Sequence, residues 1–340
     1  MSTRATTMET CEYEHSDSTR DELLSSLSST SINSLFDSGS QFYSSSTLPG
    51  SSTITPVVSN EYLECQRNKT IDKLFQPKLK SYKHHESQQI PEDRVKVVVL
   101  LVGLPASGKS TLCHQIKDFV NSKTKYGCGV YNAGDVRRKR SLAFNDANFF
   151  DPNNKSAQQD RDLYATITLN HLLADFDKID IGFLDATNTT VERRHKMLEL
   201  ISSKDIPVVI LEVESIFSDF NIISGKLNNA DYINKDNRMA FQDFKNRLRH
   251  YKSVYEPVTW EELDTYGDQV TAYVKCTNGG ESFELTKNKE VEEREMDDKK
   301  NGVEESGFWY FKVLQQFIDQ YDESVGIEYR KSAKEFRIDW

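Results

Sequence analysis

Cysteine and long apolar runs are both scarce in this chain of 340 residues. Its five cysteines, Cys11, Cys65, Cys113, Cys128 and Cys276, form no Cys-x-x-Cys pair and no metal-ligand spacing. They read as free thiols of a reducing compartment, the cytosol. The longest aliphatic stretch, Val97 to Val102 with Val95 just before it, is far short of the roughly 20 residues that cross a bilayer. No apolar run follows a basic start at the N-terminus, so no secretory signal is visible. Positive charge is outnumbered, with 43 Lys and Arg against 53 Asp and Glu, a net charge of −10. That balance argues against electrostatically driven binding to nucleic acid or to an anionic membrane. Apolar residues make up 37%, below the usual range of about 45–50%, so part of the chain is expected not to fold.

Length allows roughly two domains of about 150 residues, but composition points to one domain behind a tail. Residues 1–60 carry 17 Ser and 9 Thr with scattered apolar residues. Such a segment cannot offset its ordering entropy by burial, and disorder is expected over residues 1–90. Its serines are candidate substrates for protein kinases. At Val95 the composition changes. The run VKVVVLLVG reads as a strand buried on both faces of a parallel sheet. A helix follows from Lys109 to Asn121, then strands at 128–132, 180–186 and from Pro207, with helices over 155–177, 190–203 and 236–255 between and after them. Leu163, Ile167, Leu172 and Leu173 are the apolar positions of the 155–177 helix, and Met239, Phe244, Leu248 and Tyr251 those of the 236–255 helix. AYVKC marks one more strand. Residues 287–305, with five basic and eight acidic side chains, are expected to be a mobile loop. A C-terminal helix over about 307–322 would pack Tyr310, Leu314, Phe317 and Tyr321. Alternating strands and helices predict an α/β fold, a mainly parallel sheet with helices on both faces, and the glycine-rich G-x-x-x-x-G-K-[ST] pattern that follows the first strand makes it one of P-loop NTPase type. The domain is placed at 91–340, with its core at 95–260.

Gly103-Leu104-Pro105-Ala106-Ser107-Gly108-Lys109-Ser110, followed by Thr111, fits the pattern G-x-x-x-x-G-K-[ST], between a buried strand and a helix as that motif requires. The glycines let backbone N–H groups close around phosphates, and the helix N-terminus adds the positive end of its dipole. Lys109 would reach the β- and γ-phosphates of a nucleotide, and Ser110 would offer its hydroxyl to Mg²⁺. Asp185 ends a buried strand, where a parallel sheet meets its ligand. There it would bind Mg²⁺ or accept a proton from an acceptor hydroxyl, although a bare helix cap is the competing role. Arg137, Arg138, Lys139, Arg140, Arg161, Arg193, Arg194, Lys226 and Arg247 lie in the same half. Several converging guanidinium groups would suit a phosphorylated acceptor. Arg247 and Tyr251, four apart on one helical face, would reach one phosphate together.

At these residues the sequence resembles the kinase domain of the 6-phosphofructo-2-kinase/fructose-2,6-bisphosphatase family. The segments GLPASGKST, YNAGDVRRK, FFDPNN, FLDATNTTVERR and DYINKDNRMAFQDFKNRLRHYKSVYEP carry the resemblance over about 95–260. The Ser-rich N-terminus and divergent C-terminal part are most like the fungal kinase-only members. The resemblance implies ATP bound by Gly103 through Thr111. It implies fructose 6-phosphate as acceptor, held by Arg137, Arg161, Thr187, Arg193, Lys226, Arg247 and Tyr251. Asp185, Lys109 and Lys226 would be the catalytic set, and Ser110 and Asp185 the Mg²⁺ ligands. The family's cysteine after Glu-Ser-Ile is Phe217 here, which excludes a thiol at that point, and the stretch from Phe217 to Lys226 is shorter than usual. No histidine lies beyond His250 and no Arg-His-Gly occurs, so bisphosphatase activity is not expected. Two other readings stay open: another P-loop kinase, such as a polynucleotide 5′-hydroxyl kinase, and a degenerate kinase fold that only binds a ligand or partner.

Overall fold

Six consecutive Val and Leu residues have no polar face to offer water, and the fold buries them all. The computed structural model describes residues 94–140, 146–226, 231–232, 235–301 and 308–338; the tail expected over 1–90 lies outside them. Strand β1 (Val97–Val102) is buried at every position. It sits mid-sheet in the order β2-β3-β1-β4-β5-β6. Here β2 is Cys128–Asn132, β3 Ile181–Asp185, β4 Val208–Glu214, β5 Val270–Thr277 and β6 Ser282–Lys287. All neighbours pair in parallel except β5 and β6, which form an antiparallel hairpin.

Besides the single turn Ser218–Asn221, the helices are α1 (Lys109–Lys123), α2 (Ala133–Arg140), α3 (Lys155–Ala174), α4 (Val191–Ser202), α5 (Asn237–Lys252) and α6 (Trp260–Thr265). Three more, α7 (Lys289–Lys300), α8 (Trp309–Tyr321) and α9 (Ile327–Glu335), close the chain. Alternation along β1 assigns the two faces of the sheet. Val97, Val99 and Leu101 cluster with Leu112 and Ile116 of α1 and with Tyr310 and Phe317 of α8. Val98, Leu100 and Val102 cluster with Leu169 and Leu172 of α3 and with Met197 and Ile201 of α4. Helices therefore cover both faces, as the alternating pattern predicts.

The charged segment after Lys287 is a correction: α7 is a helix where a mobile loop is expected. Its Glu, Lys and Arg residues are good helix formers, Val291 is buried, and Lys287 pairs with Glu295 at 2.6 Å. Two apolar positions also differ. Leu163 of α3 is 53% exposed and Met239 of α5 is 71% exposed. The core takes Ala165 and Leu169 from α3 and Ala240, Phe244 and Leu248 from α5 instead.

Candidate active site

The turn after β1 is held from beneath. Gly103 has φ of 139°, and a Cβ there would lie 2.4 Å from the Val213 carbonyl oxygen, so only glycine fits. Its N–H donates to the Thr187 carbonyl at 2.9 Å, tying the phosphate loop to the turn after β3. Lys109 is only 6% exposed. Its Nζ donates to the carbonyls of Gly103 (2.8 Å) and Leu104 (2.6 Å) and to Ser107 Oγ (3.4 Å). Helices α3, α4 and α5 each begin with a side chain accepting from a first-turn N–H. Helix α1 begins at Gly108 with no such cap and no acidic residue in its first turn. Its first N–H groups are thus left for an anion.

Asp185, at the carboxyl end of β3, is 3% exposed. It pairs in register with Asn132 at the end of β2, and the Asn132 amide donates to its carboxylate. The Asp185 carboxylate and Ser110 hydroxyl line the same cavity and are hard oxygen donors of the type Mg²⁺ takes.

That cavity has a volume of about 390 Å³. Pro105, Ala106, Gly108, Lys109, Ser110 and Thr111 form its phosphate-loop wall. Asp185 and Thr187 come from the end of β3 and the turn beyond. Arg137, Arg161, Arg193, Arg247 and Tyr251, from four different helices, form the basic wall. Gly103, Leu104 and Ser107 belong to the loop but do not line the cavity, and each is a hydrogen-bond partner of Lys109. Lys226 ends the turn Ile222–Lys226, and its side chain is outside the described residues.

The basic wall holds more positive charge than its own carboxylates answer. Asp231 forms ion pairs with Arg137, with Arg138 at 3.8 Å and with Arg247 at 3.9 Å. Arg193 pairs with Asp162 and donates to the Arg161 carbonyl at 2.7 Å. The Arg247 guanidinium lies 3.8 Å from the Phe150 ring centroid, and the Tyr251 ring is tilted against the same ring at 5.8 Å. Arg137 Nη1, Arg193 Nε and Arg247 Nε are buried without a hydrogen-bond partner. Burial lowers the pKa of Arg137, with Arg247 adding to it. Burial also lowers that of Arg161, Tyr251 opposing and Arg247 reinforcing. Arg193 is held down to about 10 by burial, with Tyr251 opposing and Arg161 reinforcing. Crowded, partly unsatisfied guanidinium groups of this kind fit a dianionic phosphate.

Of the remaining basic residues named from the sequence, Arg138 lines the cavity, whereas Lys139 and Arg140 are exposed. Arg194 is fully buried. It meets Glu262 through Nε and Nη2, each at 2.6 Å, away from the cavity wall. Sequence reasoning did not single out Asn132, Phe150, Asp231 or Asn221, which line the cavity too. The first three stand inside recognisable segments, YNAGDVRRK, FFDPNN and DYINKDN, and that position was the available signal. Tyr329 of α9 also lines it and had no such signal.

A family model described as 6-phosphofructo-2-kinase matches residues 83–294. 6-Phosphofructo-2-kinase 1 of Saccharomyces cerevisiae is 36% identical over 195 residues, covering 52% of this chain and 23% of that protein. A probable 6-phosphofructo-2-kinase of Schizosaccharomyces pombe is 36% identical over 203 residues, covering 57% and 29%. A 6-phosphofructo-2-kinase/fructose-2,6-bisphosphatase of Caenorhabditis elegans is 30% identical over 217 residues, covering 60% and 45%. The chain thus spans less than half the length of these curated relatives. The matched span begins ahead of β1, ends inside α7 and takes in every cavity-lining residue except Tyr329, and on that match the chain belongs to the 6-phosphofructo-2-kinase family.

Proposed function

We propose that this protein transfers the γ-phosphoryl group of ATP to the C2 hydroxyl of fructose 6-phosphate, giving ADP and fructose 2,6-bisphosphate. The observation that carries this reading is one cavity lined by a phosphate loop, Asp185 and five guanidinium groups. A nucleoside triphosphate and a second, phosphorylated substrate would meet there. The uncapped start of α1 and Lys109 hold the β- and γ-phosphates. Ser110 and Asp185 would hold Mg²⁺, which when bound neutralises charge on the phosphates. Asp185, fixed by Asn132, orients the acceptor hydroxyl, and Lys226 answers charge on the group in transfer. Arg137, Arg161, Arg193, Arg247 and Tyr251 hold the 6-phosphate, with Thr187 beside the sugar. Catalysis on this scheme is positioning and charge neutralisation.

The direct test supplies ATP, Mg²⁺ and fructose 6-phosphate and measures ADP release together with the appearance of a 2-phosphorylated sugar. No turnover at saturating substrates would overturn the reading. Arg247→Ala sharpens it. The variant should raise the KM for fructose 6-phosphate by roughly 10- to 150-fold, the worth of one charge-assisted contact. The KM for ATP should stay nearly constant, because Arg247 stands on the acceptor wall. Equal rises for both substrates would place Arg247 elsewhere.

A further inference from the structure

The last described helix returns to the phosphate loop from outside the family match. Tyr329 of α9 donates its hydroxyl to Asn221 Oδ1 at 2.8 Å, and Asn221 Nδ2 donates to the Ala106 carbonyl at 2.9 Å. The direction of this relay follows from its end point. A carbonyl only accepts, so the Asn221 amide must turn its NH₂ to Ala106 and its oxygen to Tyr329, which must then donate. Ala106 is the crest of the loop and has φ of 60°, a left-handed conformation unusual for a residue with a Cβ. A backbone held in such a conformation persists only where its surroundings over-determine it, and the relay supplies one such restraint.

The tyrosine itself is closely seated. Its ring meets Phe220 edge-on at 5.7 Å and Phe217 at 6.3 Å. Phe217 is the position where the family resemblance leads one to expect cysteine. Below the ring, the β5–β6 turn comes so near that a Cβ on Gly279 would lie 2.1 Å from Tyr329 Cε1. The next residue, Arg330, donates to the Gly279 carbonyl at 3.2 Å and pairs with Asp322 at 2.8 Å, fastening α9 to that turn.

We propose that Tyr329 is a positioning residue for the nucleotide, holding the crest of the phosphate loop through Asn221. The proposal rests on the ATP-dependent reading above. It assigns to a C-terminal helix, beyond residues 83–294, a part in preparing the nucleotide site.

The test uses the full chain and a fluorescent methylanthraniloyl-ADP titration beside steady-state kinetics. Tyr329→Phe keeps the ring and removes only the hydroxyl. It should weaken analogue binding about 3- to 10-fold, the range for a lost hydrogen bond, and raise the KM for ATP by the same factor. The KM for fructose 6-phosphate and the melting temperature should hold. Adding Asn221→Ala to Tyr329→Phe should cost no more than Asn221→Ala alone, because the two groups act as one relay. Binding by Tyr329→Phe within about twofold of wild type, or additive losses in the double variant, would overturn the proposal. Equal losses for both substrates with a lower melting temperature would also overturn it, since that is the signature of packing alone. If the wild-type chain binds the analogue but does not phosphorylate fructose 6-phosphate, and Tyr329→Phe weakens analogue binding, the acceptor assignment would be overturned and the relay supported. A wild-type chain that binds no adenine nucleotide would overturn both.

Discussion

Lys109→Met is expected to lower kcat at least 100-fold while the protein keeps its fold. Methionine retains an unbranched side chain of similar reach, so the buried stem is replaced with little loss of packing. What disappears is the ammonium group. In the structure it rests against the carbonyls of Gly103 and Leu104, poised over the loop that would hold the β- and γ-phosphates. A preorganised cation aimed at charge developing in a transition state is typically worth a factor of about 10²–10³. Circular dichroism and thermal melting would establish that the fold is retained, and initial rates at saturating ATP would give kcat. More than about a tenth of wild-type kcat would contradict the role, because a tenfold change is only about 1.4 kcal/mol.

The second large effect concerns stability. Arg194→Ala should destabilise the domain by about 3–5 kcal/mol, the usual result of removing one partner of a buried ion pair. The guanidinium is fully buried. Besides both oxygens of Glu262 it serves the carbonyls of Asn188 at 3.1 Å and Glu256 at 2.9 Å. Its loss strands a carboxylate for which Tyr266, at 2.7 Å, is a remaining donor. At roughly 2–4 °C per kcal/mol for a domain of this size, the melting temperature should fall by about 6–20 °C. The double variant Arg194→Met with Glu262→Leu should recover much of that, since it removes both charges together. A single variant melting within about 2 °C of wild type would show that the pair is dispensable.

Arg193 and Arg194 also show how far a sequence can be read. Both belong to one basic scatter when only residue types are counted. On α4 they differ by one position, about 100° around the axis, so one faces the cavity and the other the core. The phosphate loop and Asp185 were legible because their chemistry is bound to a local frame, a buried strand ending in a turn. The strands β1 to β4 and the helices α1, α3, α4 and α5 were legible for the same reason, since their periods are local, whereas α2, rich in Arg and Lys and without an apolar stripe, was not expected. What was not legible depends on distant partners. The charged run of α7 reads as a loop until Val291 finds the core and Lys287 finds Glu295. Strand β6 has a clean alternation, exposed at Ser282, Glu284 and Thr286 and half-buried between, but it is short, and its pairing with β5 decides the matter. Tyr329 carries no motif at all, and only tertiary structure brings it to Ala106.

The position of β1 has a consequence for the order in which the molecule can be made. It is the first described strand to leave the ribosome and the one most enclosed, flanked by β3 and β4 and covered on both faces. Just ahead of it, the Val95 carbonyl accepts from the Trp309 indole at 3.2 Å, across 214 residues of chain. A central strand whose neighbours are all made later cannot be secured as it emerges, and topologies dominated by such distant pairings fold slowly. The run Val97 to Val102 therefore has neither edge paired until β3 and β4 have been made, and it gains the cover of α8 only later still. Of the described chain, the loop that would grip the nucleotide is translated early, yet the Thr187 carbonyl and the Asn221 amide that hold it are translated later.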